Sequence, residues 1–168
     1  SKPMLNKHTL FTNGIIEIQD EGSQLLALLT GAKRGETVVD FCAGAGGKTL
    51  AIGAQMADTG RIYAFDVSEK RLANLKPRIQ RAGLHHVHSE RITNECDTKV
   101  SRLHGKIQRV LVDAPCSGLG TLRRSPDLKY RQSPESLSTL LKTQQNILQA
   151  ASNLVQIDRI LIYATCSI

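Results

Sequence analysis

Apolar positions in this chain fall into two kinds of segment that take turns. Short β-branched or aromatic runs occur at residues 37–41, 61–65, 110–112 and 159–164. Between them lie longer stretches with apolar residues three and four apart, at 24–30, 49–56, 69–82 and 135–155. The first pattern predicts strands buried on both faces, the second predicts helices laid against them. Two weaker segments predict a short strand at 14–18 and another near 86–91, inside an ambiguous stretch covering 84–95. Asp20 or Ser23 is placed to cap the first long helix and Ser68 the basic one, while Gly31 and Gly35 mark a helix end and a turn. Pro77 lies inside the basic helix, where its ring displaces the carbonyl of Ala73, so a kink or split is expected. A Gly/Arg/Pro-rich loop is expected over 117–134.

Strand and helix thus alternate along the whole chain. That order predicts an α/β fold, a mostly parallel sheet with helices on both faces, in a single domain over residues 1–168 with 1–13 as an N-terminal extension. Sheets of this kind bind ligands outside the carboxyl ends of their strands. Asp40 to Gly47, Asp66, Asp113 to Cys116, and Thr165 with Cys166 each lie just past a predicted strand. They are therefore expected to share one rim.

Composition narrows the classes. The 168 residues suit one domain, and 40% hydrophobic with 22% charged residues is a globular composition. No apolar run is long enough to span a membrane, and no signal peptide is visible, so a cytoplasmic protein with reduced thiols is expected. The net charge of +7 fits a polyanionic partner, while 4% aromatics and no tryptophan argue against a base-stacking platform. None of the four cysteines forms a Cys-x-x-Cys pair, so no zinc ribbon is expected. His85, His86 and His88 cluster without an evident fourth ligand, and no metal is expected there either.

The loop Cys42-Ala43-Gly44-Ala45-Gly46-Gly47-Lys48 follows a strand and opens a helix. Its glycines let the backbone turn tightly and approach a ligand. Asp66, ending the next strand, is where a carboxylate accepts hydrogen bonds from the hydroxyls of a ribose. A phosphate-binding P-loop would need glycine where Cys42 stands, and the dinucleotide pattern would need glycine at Thr49. A ligand with a ribose and no phosphate, S-adenosylmethionine, satisfies both failures.

At this point four motifs stand together: Asp40 to Thr49, Asp113-Ala114-Pro115-Cys116-Ser117-Gly118-Leu119-Gly120, Arg123 to Asp127, and Tyr163-Ala164-Thr165-Cys166-Ser167. In this order they strongly resemble the RNA cytosine-5 methyltransferases of the Sun/nucleolar-protein family, with the bacterial small-subunit ribosomal RNA enzymes as nearest look-alikes. The resemblance runs from about Gln19 to the last residue. It implies a Rossmann-like, S-adenosylmethionine-dependent catalytic core, C-terminally truncated and without the family's N-terminal RNA-binding part. It also implies that the loop Cys42 to Lys48 wraps the methionine part of the cofactor and that Asp66 holds its ribose. Asp113 would lie between cofactor and base, Cys166 would be the nucleophile, and Cys116 would help release the product. Ala45 stands where the family usually has proline. No aspartate follows the third strand to contact the adenine, which leaves Glu90 as the candidate. Gln156-Ile157-Asp158 replaces the usual Gly-Gly turn before the last strand.

The chemistry explains the two cysteines. C5 of cytosine is a poor nucleophile, and a thiolate adding to C6 makes it enamine-like. Asp113 is placed to assist at N3, and after methyl transfer a base such as Cys116 must take the C5 proton. Cys42 and Cys96 read as bystanders. Arg123, Arg124, Lys129 and Arg131 form a basic loop beside Cys116 that is expected to grip RNA phosphates, whereas the basic helix bearing Lys70, Arg71, Lys76, Arg78 and Arg81 reads as a solvated face. The competing readings are a methyltransferase acting on DNA and a cofactor- or RNA-binding fragment without turnover.

Overall fold

Five parallel strands form one sheet in the order β3-β2-β1-β4-β5 in the computed structural model, which describes residues 4–123, 126–127 and 133–167. In chain order the elements are helix α1 (Thr9–Thr12), α2 (Glu21–Leu29), strand β1 (Thr37–Asp40), α3 (Gly47–Gln55) and β2 (Arg61–Asp66). There follow α4 (Glu69–Arg81), β3 (Val87–Arg91), α5 (Thr98–Ser101), β4 (Ile107–Asp113), α6 (Pro134–Leu154) and β5 (Val155–Ala164). The predicted α/β architecture is thus present, and it is Rossmann-like. The chain winds outward from β1 through β2 to β3, then returns to the other side of β1 with β4. The switch point lies between the carboxyl ends of β1 and β4, which is where such sheets open a crevice.

Alternating side chains of each strand face opposite layers. Val38, Ile62 and Leu111 pack under Ala27 of α2 and Ile52 of α3, and Ala64 under Leu72, Leu75 and Ile79 of α4. Val39, Phe65, Val110 and Val112 face Ile147, Ala151 and Leu154 of α6. Each fully buried aliphatic side chain contributes roughly 1.5–3 kcal/mol, so both layers hold the strands in register. A buried charge also sits in this sheet: Arg109 of β4 donates to both oxygens of Glu36, at 3.0 and 3.2 Å, and to the carbonyl of Thr30 at 3.1 Å. Burial pushes the Glu36 carboxyl up, but its hydrogen bonds from Arg109 and the Lys33 backbone outweigh that and lower it.

Several expectations are corrected. Residues 14–18 are not a strand; they run as an irregular strap outside the sheet, with Ile15 and Ile18 exposed. The strap is tied to α4 through Glu17, which pairs with Arg78 and Arg81, while Arg81 also lies 4.1 Å over the Phe11 ring. Helix α2 starts at Glu21 with Asp20 in the cap position, earlier than apolar spacing indicated. Helix α4 runs unsplit through Pro77, because buried Leu72, Leu75 and Ile79 hold both sides of the missing hydrogen bond against the sheet. The last strand begins at Val155, not 159, with an irregularity opposite Gln108 in which Asp158 takes φ +61. Aspartate tolerates that left-handed backbone better than most residues, which lets this chain make the turn without a Gly-Gly pair.

Candidate active site

The strand ends converge on one cavity of about 830 Å³, lined by the loop 41–48, Asp66, Asp113, Cys116, Cys166 and the strap residues Ile18, Gln19 and Asp20. Its floor is the loop after β1. Gly46 caps α3 with φ +83, and a Cβ there would stand 1.9 Å from Leu75 Cδ1, so any other residue requires Leu75 or the loop to shift. Gly44, at φ +57, faces open space, with nothing within 4 Å of a built Cβ. Asp66 ties this loop to β2: its Oδ2 accepts the Gly44 amide at 2.8 Å and its Oδ1 accepts the Ser68 amide at 2.7 Å. Each carboxylate oxygen keeps a second lone pair. The cavity volume suits a nucleoside-sized ligand, and its polar groups are backbone amides as donors and carboxylates as acceptors. Lys48, which would clamp a phosphate in a P-loop, is held by Asp113 at 2.5 Å instead. These features fit S-adenosylmethionine. Asp66→Ala should weaken S-adenosylhomocysteine binding by about 1.5–3 kcal/mol, the scale of hydrogen bonds to a charged group. Calorimetry finding equal affinity would remove Asp66 from the site.

Beneath the loop lies Asp40, fully buried. Its Oδ2 accepts the Thr49 hydroxyl at 2.6 Å, and its Oδ1 has no partner. Burial pushes its carboxyl up to about 6, against the pull of Thr49 and Lys48 and with the charges of Asp113 and Asp66 adding. A carboxyl raised in the fold binds its proton more tightly than in the unfolded chain, so its contribution is present at low pH and is lost as pH rises through about 6. Asp40→Asn should therefore shrink the stability difference between pH 4 and pH 8 by on the order of 2–3 kcal/mol. Urea unfolding at both pH values measures it; an unchanged difference would mean that Asp40 does not take up a proton in the fold.

The two motif cysteines meet. Cys116, after β4, and Cys166, after β5, have their sulfurs 2.8 Å apart, and the Cys166 amide donates to Cys116 Sγ at 3.2 Å. Two further contacts join the loops: the Ser117 and Ser167 hydroxyls at 3.0 Å, and the Gly120 amide to the Cys166 carbonyl at 2.8 Å. Partial burial raises the Cys116 thiol, but hydrogen bonds from the Cys166 thiol and amide, the Gly118 amide and Ser167 outweigh it, and the net shift is downward. Cys166 is pushed up to about 11, by burial first and then by its bond to Cys116 and the Cys116 and Asp113 charges. The two thiols are shifted in opposite directions, Cys116 down and Cys166 up, and they titrate as a coupled pair. Cys42 is pushed up to about 12 by burial and by Asp40, Asp66 and Asp113, so it offers the loop backbone and no thiolate. Cys96 is exposed and does not itself line the cavity, although the preceding Asn94 and Glu95 do.

Other expectations fare differently. Arg123 is exposed; Arg124, Lys129 and Arg131 lie outside the described residues. Glu90 does not line the cavity and pairs with Arg102 at 2.8 Å; Thr93 and Asn94, just past β3, line it instead. The basic helix is not simply a solvated face. Arg71 and Arg78 line the cavity, and Arg78 Nη1 donates to the Ala45 carbonyl at 2.5 Å. His85 is bound to Asp58 at 2.7 Å, and no metal-binding cluster exists among the described residues. Among the described residues no helix is long and apolar enough to cross a membrane. Sequence reasoning missed the walls formed by Gln19 of the strap and Thr143 and Ile147 of α6. Only the unused polarity of Gln19-Asp20 beside an apolar run could have signalled the first.

Residues 27–168 match the family model of the 16S rRNA methyltransferase RsmB/F. A relative from Synechocystis sp. is 40% identical over 160 residues, covering 94% of this chain and 35% of its own length. The ribosomal RNA small subunit methyltransferase B of Sodalis glossinidius is 36% identical over 159 residues, covering 94% and 36%. The chain thus spans about a third of the length of these relatives. Among solved structures, NSun6 from Pyrococcus horikoshii, determined with the S-adenosylmethionine analogue SFG, superposes with a TM-score of 0.86 at 27% identity over 99% of this chain and 42% of that one. A methyltransferase homologue from the same organism gives 0.85 at 28% identity, covering 100% and 52%.

Proposed function

The chain belongs to the 16S rRNA methyltransferase RsmB/F family of S-adenosylmethionine-dependent enzymes, and from that premise we propose that it is the catalytic core of a methyltransferase acting on C5 of cytosine in RNA, ribosomal RNA foremost. The observation that carries this reading is the pair Cys116 and Cys166, sulfurs 2.8 Å apart, on the cavity rim beside Asp113. A methyltransferase acting on a nucleophilic oxygen or nitrogen has no need of two thiols there. A pyrimidine C5 does, because it must be activated from C6 and then released.

The bound cofactor supplies an electrophilic methyl group on its sulfonium. The protein does the rest. The loop 42–48 and Asp66 hold the amino-acid and ribose ends. Asp113, paired with Lys48, is a hydrogen-bond acceptor for the N–H groups on the cytosine edge, which fixes the ring and favours positive charge at N3. Cys166 Sγ bonds to C6 while its proton passes to the deprotonated form of Cys116 Sγ, 2.8 Å away. The electron pair of the 5,6 double bond then becomes available at C5 for the methyl group. Once Cys116 has given its proton to solvent, it or a water it holds removes the C5 proton. The C6–S bond breaks with its electrons returning to Cys166 as the 5,6 double bond re-forms. Arg123, Arg124, Lys129 and Arg131 serve as phosphate contacts for the RNA in this reading.

The test is transfer of label from methyl-labelled S-adenosylmethionine to small-subunit ribosomal RNA and to DNA, with the product digested to nucleosides. Label in 5-methylcytidine from RNA is the expected result. Label only in DNA, or only at another atom, would overturn the reading.

A further inference from the structure

The geometry points to Gln144 as a positioning residue for Cys116, acting from the middle of α6 on the loop that follows β4. This rests on the methyltransferase reading above only for the step it serves; the contact itself does not. Gln144 Nε2 donates to the Pro115 carbonyl at 2.8 Å. Its neighbours Thr143 and Ile147 line the cavity, and Ile147 is buried against the sheet, so α6 is fixed relative to the strand ends.

Why this carbonyl matters follows from the peptide it belongs to. Proline has no N–H, so its carbonyl is the one polar backbone group of Pro115. That carbonyl shares a rigid plane with the amide of Cys116. Holding it fixes the rotation of the plane, and with it the direction in which Cys116 Cα projects its side chain. Upstream the loop is anchored at Ala114, whose amide donates to the Ala164 carbonyl at 2.9 Å; downstream it is anchored where Gly120 meets Cys166 at 2.8 Å. Between those two points Gln144 supplies the hold from a third element. Without it the Cys116 sulfur would drift from the Cys166 thiol and amide that share its charge. Gln144 touches neither cysteine, and it acts through the loop.

Among the described residues, the titratable groups coupled to Cys116 are Cys166 and Tyr163, with Asp113 acting on Cys166. Gln144→Ala and Gln144→Glu leave all of them in place. The isosteric glutamate keeps the side chain's volume but, ionised, offers no donor and faces a carbonyl. Alkylation of each cysteine by iodoacetamide is followed by peptide mass spectrometry from pH 6 to 9, with exposed Cys96 as the internal reference. In both variants the Cys116 profile should move to higher pH, with its rate at pH 7 falling about 3–10-fold as the thiolate loses donors, while Cys96 is unchanged. An unmoved Cys116 profile in Gln144→Ala would overturn the assignment whatever the glutamate variant does, because the charge that glutamate adds raises a nearby thiol by itself. Equal changes at Cys116 and Cys96 would also overturn it, because they report general loosening. The assay needs neither cofactor nor RNA, so failure of methyl transfer by the unaltered protein would strike the proposed function and leave this result separate.

Discussion

Cys166→Ala is expected to abolish methylation and to leave no covalent protein–RNA adduct, while Cys116→Ala is expected to trap one. The two sulfurs are neighbours, yet the loops present them differently. Cys166 is the more exposed and lies at the end of β5, free to reach C6 of a base entering the cavity. Cys116 is the better shielded, and its sulfur is surrounded by hydrogen-bond donors. In the proposed mechanism Cys166 is the group that adds to the ring, and loss of a nucleophile of this kind costs several orders of magnitude in rate. Removing Cys116 leaves solvent to take the Cys166 proton, so addition and methyl transfer proceed at reduced rate. The C5 proton then has no base, and the protein stays attached to its RNA. A denaturing gel with labelled RNA reads both outcomes. An adduct with Cys116 intact and Cys166 replaced would reverse the roles. Full activity of both variants would remove the covalent mechanism.

Gly46→Ala is expected to cost stability and cofactor binding together. The residue caps α3 at φ +83, a backbone conformation that costs an alanine roughly 1 kcal/mol. Its Cβ would then stand 1.9 Å from Leu75 Cδ1, and Leu75 is fully buried in the layer between α4 and the sheet. Forcing that contact apart adds about 1–3 kcal/mol. The loop must move toward the cavity to relieve it. Gly44→Ala is the control. It carries the same left-handed penalty at φ +57, but its Cβ meets nothing within 4 Å, so its loss of stability should be only about 1 kcal/mol. Thermal unfolding and calorimetry with S-adenosylhomocysteine measure both. Equal melting temperatures for the two variants would show that Leu75 yields and that the loop is not held from below.

The basic helix lies where its pattern placed it, but the reading of its basic face as solvated is only partly right. Lys70, Arg71, Lys76, Arg78 and Arg81 form a polar face by spacing alone, and such a face is ordinarily solvated. In the fold, two of them turn inward, Arg78 reaching the loop at Ala45 and Arg81 meeting Glu17, while Arg71 stays exposed with its guanidinium 3.9 Å from Asp66. Their partners are distant in sequence, and helical periodicity carries no information about such partners. The strap over 14–18 failed for a related reason. Its Ile-Ile-Glu-Ile run has strand propensity, but α3 and α4 cover that side of the sheet, and β3 and β5 already form its edges.

By itself the sequence determined the alternation of strands and helices, and therefore the parallel sheet. It also determined which residues stand at strand ends, because a side-chain period of two and a period near 3.6 are local properties of the chain. That was enough to collect the glycine loop, Asp66, Asp113, Cys116 and Cys166 on one rim, with Asp40 expected there and found sealed beneath the loop. Only the tertiary structure decided how those groups divide charge and protons among themselves. Asp113 is paired with Lys48, Asp40 is sealed beneath the loop with a raised carboxyl, and the two coupled thiols are shifted in opposite directions, Cys116 down and Cys166 up. Burial and hydrogen bonding set these states, and both arise from segments tens of residues apart that meet only when the sheet closes.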